Sequence, residues 1–246
     1  MKSIMDRISI VLVEPQSPGN VGMVCRAMKN MGLADLRLVK GCRTDHREAR
    51  KFAVSARDLL DNARLFDSLE EALADREITV ATTRRHGKYR NEMFTPREVA
   101  QEIRSAIGDN RAALVFGRED NGLTTDELSL CRWNATIPTS EEYGSLNLAQ
   151  AVLIFCYELF LGFGDNTPDR SRSVASVLEM EMLYGHMENS LLRIGFLNPQ
   201  NPAHVMRSLR RIFARAGLDS REVAIIRGMM SQVDWAATNR MEGAEQ

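Results

Sequence analysis

One segment of the chain, residues 146–164, is apolar around almost its whole circumference when it is drawn as a helix. It contains Asn147, Gln150 and Glu158 and opens from a polar loop, whereas a membrane span needs about 20 mostly apolar residues. A helix that is apolar on all sides must be covered on all sides. Because the chain has only 246 residues, we expect part of this cover to come from a second copy of the chain.

Short β-branched runs alternate with helical patterns in the sequence before this segment. The alternation predicts an α/β domain with a mostly parallel sheet, because the helices that connect parallel strands cover both faces of the sheet. The runs predict strands at residues 8–13, 36–39, 78–83, 112–116 and 133–137. The helical patterns lie at residues 19–31, 46–62, 69–73, 96–107 and 124–130.

The sequence changes character after residue 164. Residues 165–173 (DNTPDRSRS) are polar and predict a linker, and residues 174–246 are predicted to be helical throughout. The predicted organisation is therefore an α/β domain over residues 1–164, the linker, and a small all-helical C-terminal domain. The helix signals in that domain are a start at Asn201-Pro202, a stop at Gly217, and capping-box spacing between Asp219 and Glu222.

The overall charge and the cysteines exclude several classes of protein. A formal net charge of -1 provides no general attraction for nucleic acid, so any polyanion would have to meet local basic patches. The four cysteines are widely separated and form no C-x-x-C pair, which argues against zinc and against a disulfide framework. Asp6 and Arg7 precede any apolar run, unlike a signal peptide. We therefore expect a cytoplasmic protein with no membrane segment and no metal.

Three turn-rich loops follow predicted strands, at residues 18–22, 116–123 and 137–147. Ligands of open α/β sheets bind at the carboxyl ends of the strands, so we expect these loops to form one composite site. Each loop taken alone also fits an ordinary junction between a strand and a helix. The G-x-x-G of the first loop is only half of a dinucleotide fingerprint, which leaves a nicotinamide-dependent oxidoreductase as a weak alternative.

Basic residues are concentrated in several short stretches. Such clusters suit contacts to the phosphates of a polyanion, but a run of charge is as often a solvated face. The candidates for phosphate contact are Arg84, Arg85 and Lys88 after the predicted strand 78–83, and Arg207, Arg211 and Arg215 along one side of a C-terminal helix, with Arg210 beside them. If the polyanion is RNA, these are the residues expected to bind it.

Taken in order, the three loops resemble the motifs of the SPOUT RNA 2′-O-ribose methyltransferases. The matching stretches are P-x-N-x-G-x-x-x-R-A-M from Pro18, L-V-F-G-R-E-x-x-G-L from Leu114, and I-P…S-L-N-L-A-x-A-V from Ile137. Each motif is weak alone, but three in order at strand ends are a specific signature, and the resemblance covers about residues 8–164. Residues 10–14, 26–33 and 142–148 are most similar to the TrmJ type, the tRNA (cytidine/uridine-2′-O)-methyltransferases of the anticodon loop.

The resemblance implies a trefoil-knotted α/β domain, a tRNA substrate, and a homodimer packed through the helices 19–31 and 146–164. It also implies S-adenosyl-L-methionine (SAM) as the cofactor. Where the family has a serine this chain has Gly144, so only a backbone contact is expected there, and Gln16-Ser17-Pro18 is more rigid than the loop of close relatives. The implied cofactor contacts are Thr82, Thr83, Arg84, Gly117, Ile137, Gly144, Ser145 and Leu146.

The catalytic residues implied by the resemblance are Arg26, Asn20, Glu119 and Asn147. A ribose 2′-OH is a very weak acid, so its methylation needs in-line placement and stabilisation of developing alkoxide charge. Because arginine stays protonated, we expect Arg26 to stabilise charge or anchor a phosphate, and its spacing of four from Gly22 predicts that it shares the face of the loop. The other three would orient the ribose and support the loops. The alternative from another class is an RNA-binding module without catalysis.

Overall fold

The computed structural model describes residues 4–41, 44–84, 93–140, 142, 144–163 and 174–243, without the side chains of 240–243. The chain divides into two compact units, Met1–Ser173 and Val174–Gln246. The candidate RNA contacts Arg85 and Lys88 and the predicted linker at 165–173 lie outside the described residues.

The first unit contains a seven-stranded sheet in which every described strand pair is parallel. The strand order is β3-β2-β1-β6-β4-β7-β5, which confirms the predicted α/β class. Strands β3 and β5 are not among the predicted strands, because they have only three and two residues and neither contains a β-branched side chain. The strands are β1 (Ile8–Val13), β2 (Asp35–Val39), β3 (Arg64–Phe66), β4 (Ile78–Thr82), β5 (Met93–Phe94), β6 (Ala112–Phe116) and β7 (Trp133–Ala135).

Seven described helices accompany this sheet, and 3-10 turns cover Ile4–Arg7 and Val54–Ala56. The pattern at residues 46–62 predicts one helical region, which the structure divides at Val54, because a φ of 50° cannot continue an α-helix. The helices are α1 (Pro18–Asn30), α2 (Arg47–Ala53), α3 (Arg57–Asp61), α4 (Leu69–Leu73), α5 (Pro96–Ala106), α6 (Thr125–Ser129) and α7 (Leu148–Gly162).

Helix α1 lies against both α2 and α7. The Ser17 hydroxyl caps α1 by accepting the N–H of Asn20 (3.4 Å), and Pro18 is the first helical residue. A Cβ at Gly22 would overlap the carbonyl oxygen of Ala49, so glycine at this position allows α2 to approach α1 closely. The first loop therefore leads directly into a helix that is held on two sides.

Helix α7 also packs against α5, yet one of its faces lacks cover from the described chain. Val152, Phe155 and Leu159 are fully buried or nearly so. The opposite side remains apolar and exposed, with exposed fractions between 39% and 53% at Leu153, Tyr157, Phe160 and Leu161. Within the described parts of the chain, no helix is both long and apolar enough to cross a membrane.

A network of ion pairs joins the amino ends of several strands, at the edge opposite the three loops. Arg37, only 1% exposed, donates to both carboxylate oxygens of Asp75 (2.6 and 2.9 Å) and to the carbonyl of Ala72 (2.5 Å). Asp35 accepts hydrogen bonds from Arg64 and Arg76, each at 2.7 Å. Such buried arginines stabilise the fold only while their carboxylate partners remain in place.

The second unit consists, in its described part, of α8 (Val177–Arg193), α9 (Pro202–Ala216) and α10 (Ser220–Gly243). Its core contains Leu183, Met187 and Met206. Pro202 begins α9 as predicted, although the Asn201 side chain makes no capping hydrogen bond, and Gly217 ends it at a φ of 58°. The backbone N–H groups of residues 219 and 222 donate reciprocally to the carboxylates of residues 222 (2.9 Å) and 219 (2.8 Å), which confirms the predicted capping pair.

Candidate functional site

The predicted cofactor residues begin at the carboxyl ends of three adjacent strands, β6, β4 and β7. The Thr82 hydroxyl donates to the carbonyl of Val115 (2.9 Å), which ties the end of β4 to β6. The N–H of Thr83 donates to the carbonyl of Ala135 (2.9 Å), which ties the same segment to β7. Gly117 follows β6 directly and Ile137 follows β7 by two residues. The parallel sheet thus brings the beginnings of these segments to one edge.

Gly144, in the loop that precedes α7, lies beside Arg84, which follows β4. A Cβ added to Gly144 would be 3.0 Å from the Thr139 Oγ1 atom and 3.3 Å from the Arg84 Cδ atom. The absence of a side chain at position 144 therefore leaves room for the aliphatic part of Arg84. Ser145 and Leu146, which follow, are exposed. Gly144, Ser145 and Leu146 thus offer backbone groups, one hydroxyl and one apolar side chain, and Arg84 beside them offers a guanidinium.

A chain of hydrogen bonds joins Glu119, Asn20 and Asn147. The Glu119 carboxylate accepts the N–H of Gln16 (2.9 Å), the N–H of Ser17 (3.1 Å) and the Nδ2 of Asn20 (2.9 Å). The Oδ1 of Asn20 then accepts the Nδ2 of Asn147 (2.9 Å). Three of the four predicted catalytic residues, one from each loop, are therefore linked by hydrogen bonds, with Asn20 between the other two.

The direction of these hydrogen bonds, from donor to acceptor, follows from the charge on Glu119. An ionised carboxylate only accepts hydrogen bonds, so Asn20 must turn its Nδ2 toward Glu119 and its Oδ1 toward Asn147. Asn147 then presents its own Oδ1 to the N–H of Ala149 (2.9 Å), which caps α7. Burial acts to raise the pKa of Glu119, but the hydrogen bonds from Gln16, Asn20 and Ser17 outweigh it and hold the pKa below its usual value.

Arg26 lies apart from this chain of hydrogen bonds. At about 100° per residue, six residues place Arg26 about 120° around α1 from Asn20. Its side chain is exposed, and among the described residues it has no hydrogen-bond or ion-pair partner. Four residues place it only about 40° around α1 from Gly22. That it shares the face of the first loop therefore stays a prediction. Its guanidinium faces solvent.

Three charged residues near the site escaped the sequence interpretation: Arg118, Glu14 and Glu127. Arg118 donates to Glu14 (Nε to Oε2, 3.0 Å) and to both oxygens of Glu127 (3.1 and 3.0 Å). Its hydrogen bond lowers the pKa of Glu14. Burial tends to raise the pKa of Glu127, but the bond from Arg118 and other hydrogen bonds lower it overall. The only sequence signal was that Arg118 stands within the second motif and Glu14 directly after β1.

Fewer arginine side chains are available to solvent on the predicted basic side of α9 than the sequence suggests. Arg215 is exposed, Arg207 is half-buried, and Arg211, also half-buried, donates to the Ser208 hydroxyl (3.0 Å). Arg210 is instead directed inward: it donates to both carboxylate oxygens of Glu181 and lies 4.4 Å from the Tyr184 ring centroid. The inclusion of Arg210 in the phosphate-binding side is therefore wrong.

The described cysteines provide no thiolate for chemistry at this edge. Cys25, Cys131 and Cys156 are buried. Burial raises the pKa of each of these thiols to about 12, so they remain protonated at neutral pH. The described residues also contain no group of three or more His, Cys, Asp or Glu side chains that could hold a metal ion.

Two protein families match this sequence. Residues 7–157 match the SpoU rRNA Methylase family, and residues 178–245 match the family described as the C-terminal domain of the tRNA methyltransferase TrmJ. The two matches lie in the two compact units of the structure.

Individual relatives cover almost the whole chain. A Pseudomonas aeruginosa protein named tRNA (cytidine/uridine/adenosine-2′-O-)-methyltransferase TrmJ is 39% identical over 95% of this chain and 96% of its own length. A Salmonella typhimurium tRNA (cytidine/uridine-2′-O-)-methyltransferase TrmJ is 38% identical over 94% and 98%. The crystal structure of TrmJ from Z. mobilis superimposes with a TM-score of 0.81 at 35% identity, over 92% of this chain and 98% of that one.

Proposed function

This chain belongs to the SpoU rRNA Methylase family, and from that premise we propose that it is a SAM-dependent tRNA methyltransferase. Its target is the ribose 2′-oxygen of a cytidine, a uridine or both in the anticodon loop of tRNA, in the cytoplasm. The observation that carries the proposal is the hydrogen-bonded chain of Glu119, Asn20 and Asn147, which joins the three loops at one edge of the sheet. The names of the Pseudomonas and Salmonella relatives support the reaction and the class of substrate.

The loops after β4, β6 and β7 fit SAM by the chemistry that they offer. A ligand with an adenosine group and an amino-acid group needs apolar contacts, backbone hydrogen bonds and a cation for its carboxylate. Ile137 and Leu146 offer the apolar contacts, the backbone at Gly144 is accessible, and Arg84 offers the cation. When bound, SAM supplies an electrophilic methyl group on a sulfonium. The remaining residues of the proposed cofactor site are Thr82, Thr83, Gly117 and Ser145.

The chain's own residues place the ribose and stabilise the charge that its 2′-oxygen develops. Arg26 is suited to this second role because its guanidinium is exposed and unpaired among the described residues. Glu119 is unsuited to accept the ribose proton, because its oxygens already accept three hydrogen bonds and its pKa is lowered. Its role is to fix Asn20 and Asn147, which orient the ribose.

The proposal includes a homodimer and a trefoil knot. The exposed apolar side of α7 supports the dimer. A contiguous exposed surface formed by side chains such as Leu153, Tyr157 and Phe160 is unusual in a monomer. Helix α1 packs beside α7 and would share that interface. Support for the knot is that α7, which follows β7 near one edge of the sheet, packs against α1 and α5.

The second unit is proposed to supply tRNA affinity through Arg207, Arg211 and Arg215 on α9. Arginines spaced by four residues lie along one side of a helix and suit a series of phosphates. In the first unit, Arg84 would contact RNA as well as the cofactor, as would Arg85 and Lys88. No metal takes part in the proposed reaction.

Incubation of the purified protein with bulk tRNA and isotopically labelled SAM, followed by nucleoside mass spectrometry, tests the proposal. We expect labelled 2′-O-methylcytidine, 2′-O-methyluridine or both. If tRNA and SAM bind without methyl transfer, the protein is the RNA-binding module instead. If NADH rather than SAM raises the unfolding temperature, it is the nicotinamide-dependent enzyme.

A further inference from the structure

Arg118 holds the second loop in place from three directions. Its guanidinium pairs with Glu14 at the end of β1 (Nη2 to Oε1, 2.8 Å) and with Glu127 on α6 (Nη2 to Oε1, 3.0 Å). It also donates to the carbonyl of Gly122 in its own loop (3.3 Å), while the N–H of Gly122 donates to the carbonyl of Arg118 (2.9 Å). The side chains of Arg118 and Glu127 are each 17% exposed, so their pair is largely shielded from water, whereas the Glu14 side chain is 38% exposed.

The shape of this loop depends on those contacts. A Cβ at Gly117 would overlap the backbone of Gly122, so the loop closes tightly on itself. Glu14 has a φ of 45°, a left-handed conformation that a residue with a side chain adopts only when its surroundings stabilise it. Its N–H donates to the carbonyl of Val39 (2.8 Å) and its carboxylate binds Arg118.

Arg118 and Glu119 are consecutive, and both join the second loop to the segment at residues 14–20. Arg118 reaches Glu14, whereas Glu119 reaches Gln16, Ser17 and Asn20. The position of the Glu119 carboxylate, and through it the orientation of the Asn20 amide, therefore depends on a loop that Arg118 anchors.

We propose that Arg118 is a positioning residue for methyl transfer, acting through Glu119: by holding the second loop between Glu14 and Glu127, it sets the place from which Glu119 orients Asn20 and Asn147. This inference rests on the proposed function. It assigns Arg118 no contact with the cofactor or with RNA. Its effect on the reaction is expected in kcat, because misplacement of the ribose by a fraction of an ångström affects the transition state more than binding.

The decisive variant is Arg118→Lys, which keeps one positive charge but cannot pair with two carboxylates through a planar fork. Arg37→Lys is the matched control, because Arg37 also binds a carboxylate through two hydrogen bonds but lies at the opposite edge of the sheet. We expect Arg118→Lys to lower kcat about 10- to 100-fold, with SAM affinity within about twofold of wild type. Arg37→Lys should lower the unfolding temperature and leave kcat unchanged at temperatures where it is folded. If Arg118→Lys does not fold, Glu14→Gln, which removes one partner, replaces it.

A double variant separates positioning from general stabilisation. If Arg118 acts through Glu119, Arg118→Lys combined with Glu119→Gln should have the kcat of Glu119→Gln alone, within about twofold. Multiplication of the two single losses would overturn the proposal. So would an unchanged kcat in Arg118→Lys with a loss of stability like that of Arg37→Lys.

Amide hydrogen exchange provides a readout that does not depend on methyl transfer. The N–H groups of Gln16 and Ser17 both donate to Glu119, so their exchange should be at least about tenfold faster in Arg118→Lys and unchanged in Arg37→Lys. Equal exchange in wild type and Arg118→Lys would overturn the positioning role. A wild-type protein that fails to methylate tRNA would refute the proposed function, and the exchange rates would still decide whether Arg118 positions Glu119.

Discussion

The amides of Asn20 and Asn147 each have a donating and an accepting end, and the charge on Glu119 decides which end faces which neighbour. The carboxylate requires donors, so one orientation is set at Asn20 and passed to Asn147 over a single hydrogen bond. A neutral side chain at position 119 would permit both orientations. The ionisation of one residue therefore controls the geometry of two others.

Glu119→Gln should weaken both activity and stability. Glutamine has one accepting oxygen in place of the two that serve three donors, so we expect kcat to fall about 10- to 100-fold and the free energy of unfolding to fall by about 1–2 kcal/mol. Because the pKa of Glu119 is lowered on folding from 4.5, the charged carboxylate stabilises the folded state above pH 4.5, and this stabilisation is lost as the pH falls below that value. Urea unfolding of both proteins between pH 3 and 7 measures the difference, and parallel pH profiles would contradict it.

Arg26→Ala should abolish detectable methyl transfer and leave SAM binding within about twofold. Arg26 is exposed and lies about two helical turns along α1 from Asn20, and none of the proposed cofactor contacts belongs to α1. Calorimetry with SAM and a turnover assay with tRNA measure the two effects, and Arg26→Lys serves as the charge-preserving comparison. A loss of SAM affinity equal to the loss of rate would show that Arg26 belongs to the cofactor site.

Among the elements, α7 combines two roles that meet at its N-terminus. Asn147 caps the helix and donates a hydrogen bond to Asn20, whose orientation Glu119 sets. The loop before Asn147 is proposed to hold SAM. One side of the helix is buried against the sheet domain, and the other presents exposed apolar side chains. Substitutions before the N-terminus of α7 should therefore affect SAM binding, and substitutions on its exposed side should affect dimerisation.

Leu146→Glu should prevent SAM binding, because a carboxylate in an apolar part of the cofactor loop carries an unfavourable desolvation cost. Leu146 is 37% exposed, so the substitution itself should not unfold the protein. Leu65→Glu is the matched control. Leu65 is 66% exposed on β3, the outer strand at the opposite end of the strand order from β7 and β5. Calorimetry measures SAM affinity, and normal binding by Leu146→Glu would place the cofactor elsewhere.

Phe160→Glu combined with Leu153→Glu should convert a stable dimer into monomers and reduce activity with it. The two side chains are 53% and 39% exposed on the uncovered side of α7, where two charges would oppose burial against another copy. Sedimentation at nanomolar concentration gives the oligomeric state, with Leu65→Glu again as the control. A wild-type protein that is a stable, active monomer at that concentration would refute the dimer.

For the molecule as a whole, the division into two compact units separates the proposed roles. The loops and the chain of hydrogen bonds lie in the first unit, and the arginines of α9 lie in the second. The second unit is not strongly basic, so its contribution to RNA binding must come from a few placed side chains. Its affinity for RNA should accordingly depend on salt and on particular arginines.

Truncation after Ser173 should leave a folded dimer that binds SAM but has weak affinity for tRNA. In the full chain, Arg207, Arg211 and Arg215 changed together to glutamine should lower tRNA affinity and reduce the salt slope by about 2 to 3 units, because up to three counterions fewer are released. The exposed Arg221 on α10, changed to glutamine, is the single-charge control. Filter binding over a range of salt measures the slope. Full-rate methylation by the truncated protein at subsaturating tRNA would show that the second unit is not an RNA-binding element.

Local pattern was enough to predict the class of the fold and the segments of the site. Strands covered on both faces are apolar throughout, so β1, β4 and β6 are visible as continuous runs, and turn residues at their ends mark the loops. Local pattern did not reveal β3 and β5, which are short and contain no β-branched residue. Asn20, Glu119 and Asn147 became candidates only through the resemblance of the three loops to family motifs.

Only the tertiary structure decided which of these residues meet and in what orientation. Asn20 and Asn147 are 127 positions apart, and Glu14 and Arg118 are 104 apart, so no local spacing reports either contact. The direction of the Arg210 side chain likewise depends on where Glu181 lies. The reason is physical: an isolated segment determines its own hydrogen bonds and its apolar face, whereas the partner of a charged side chain is determined by the packing of distant segments.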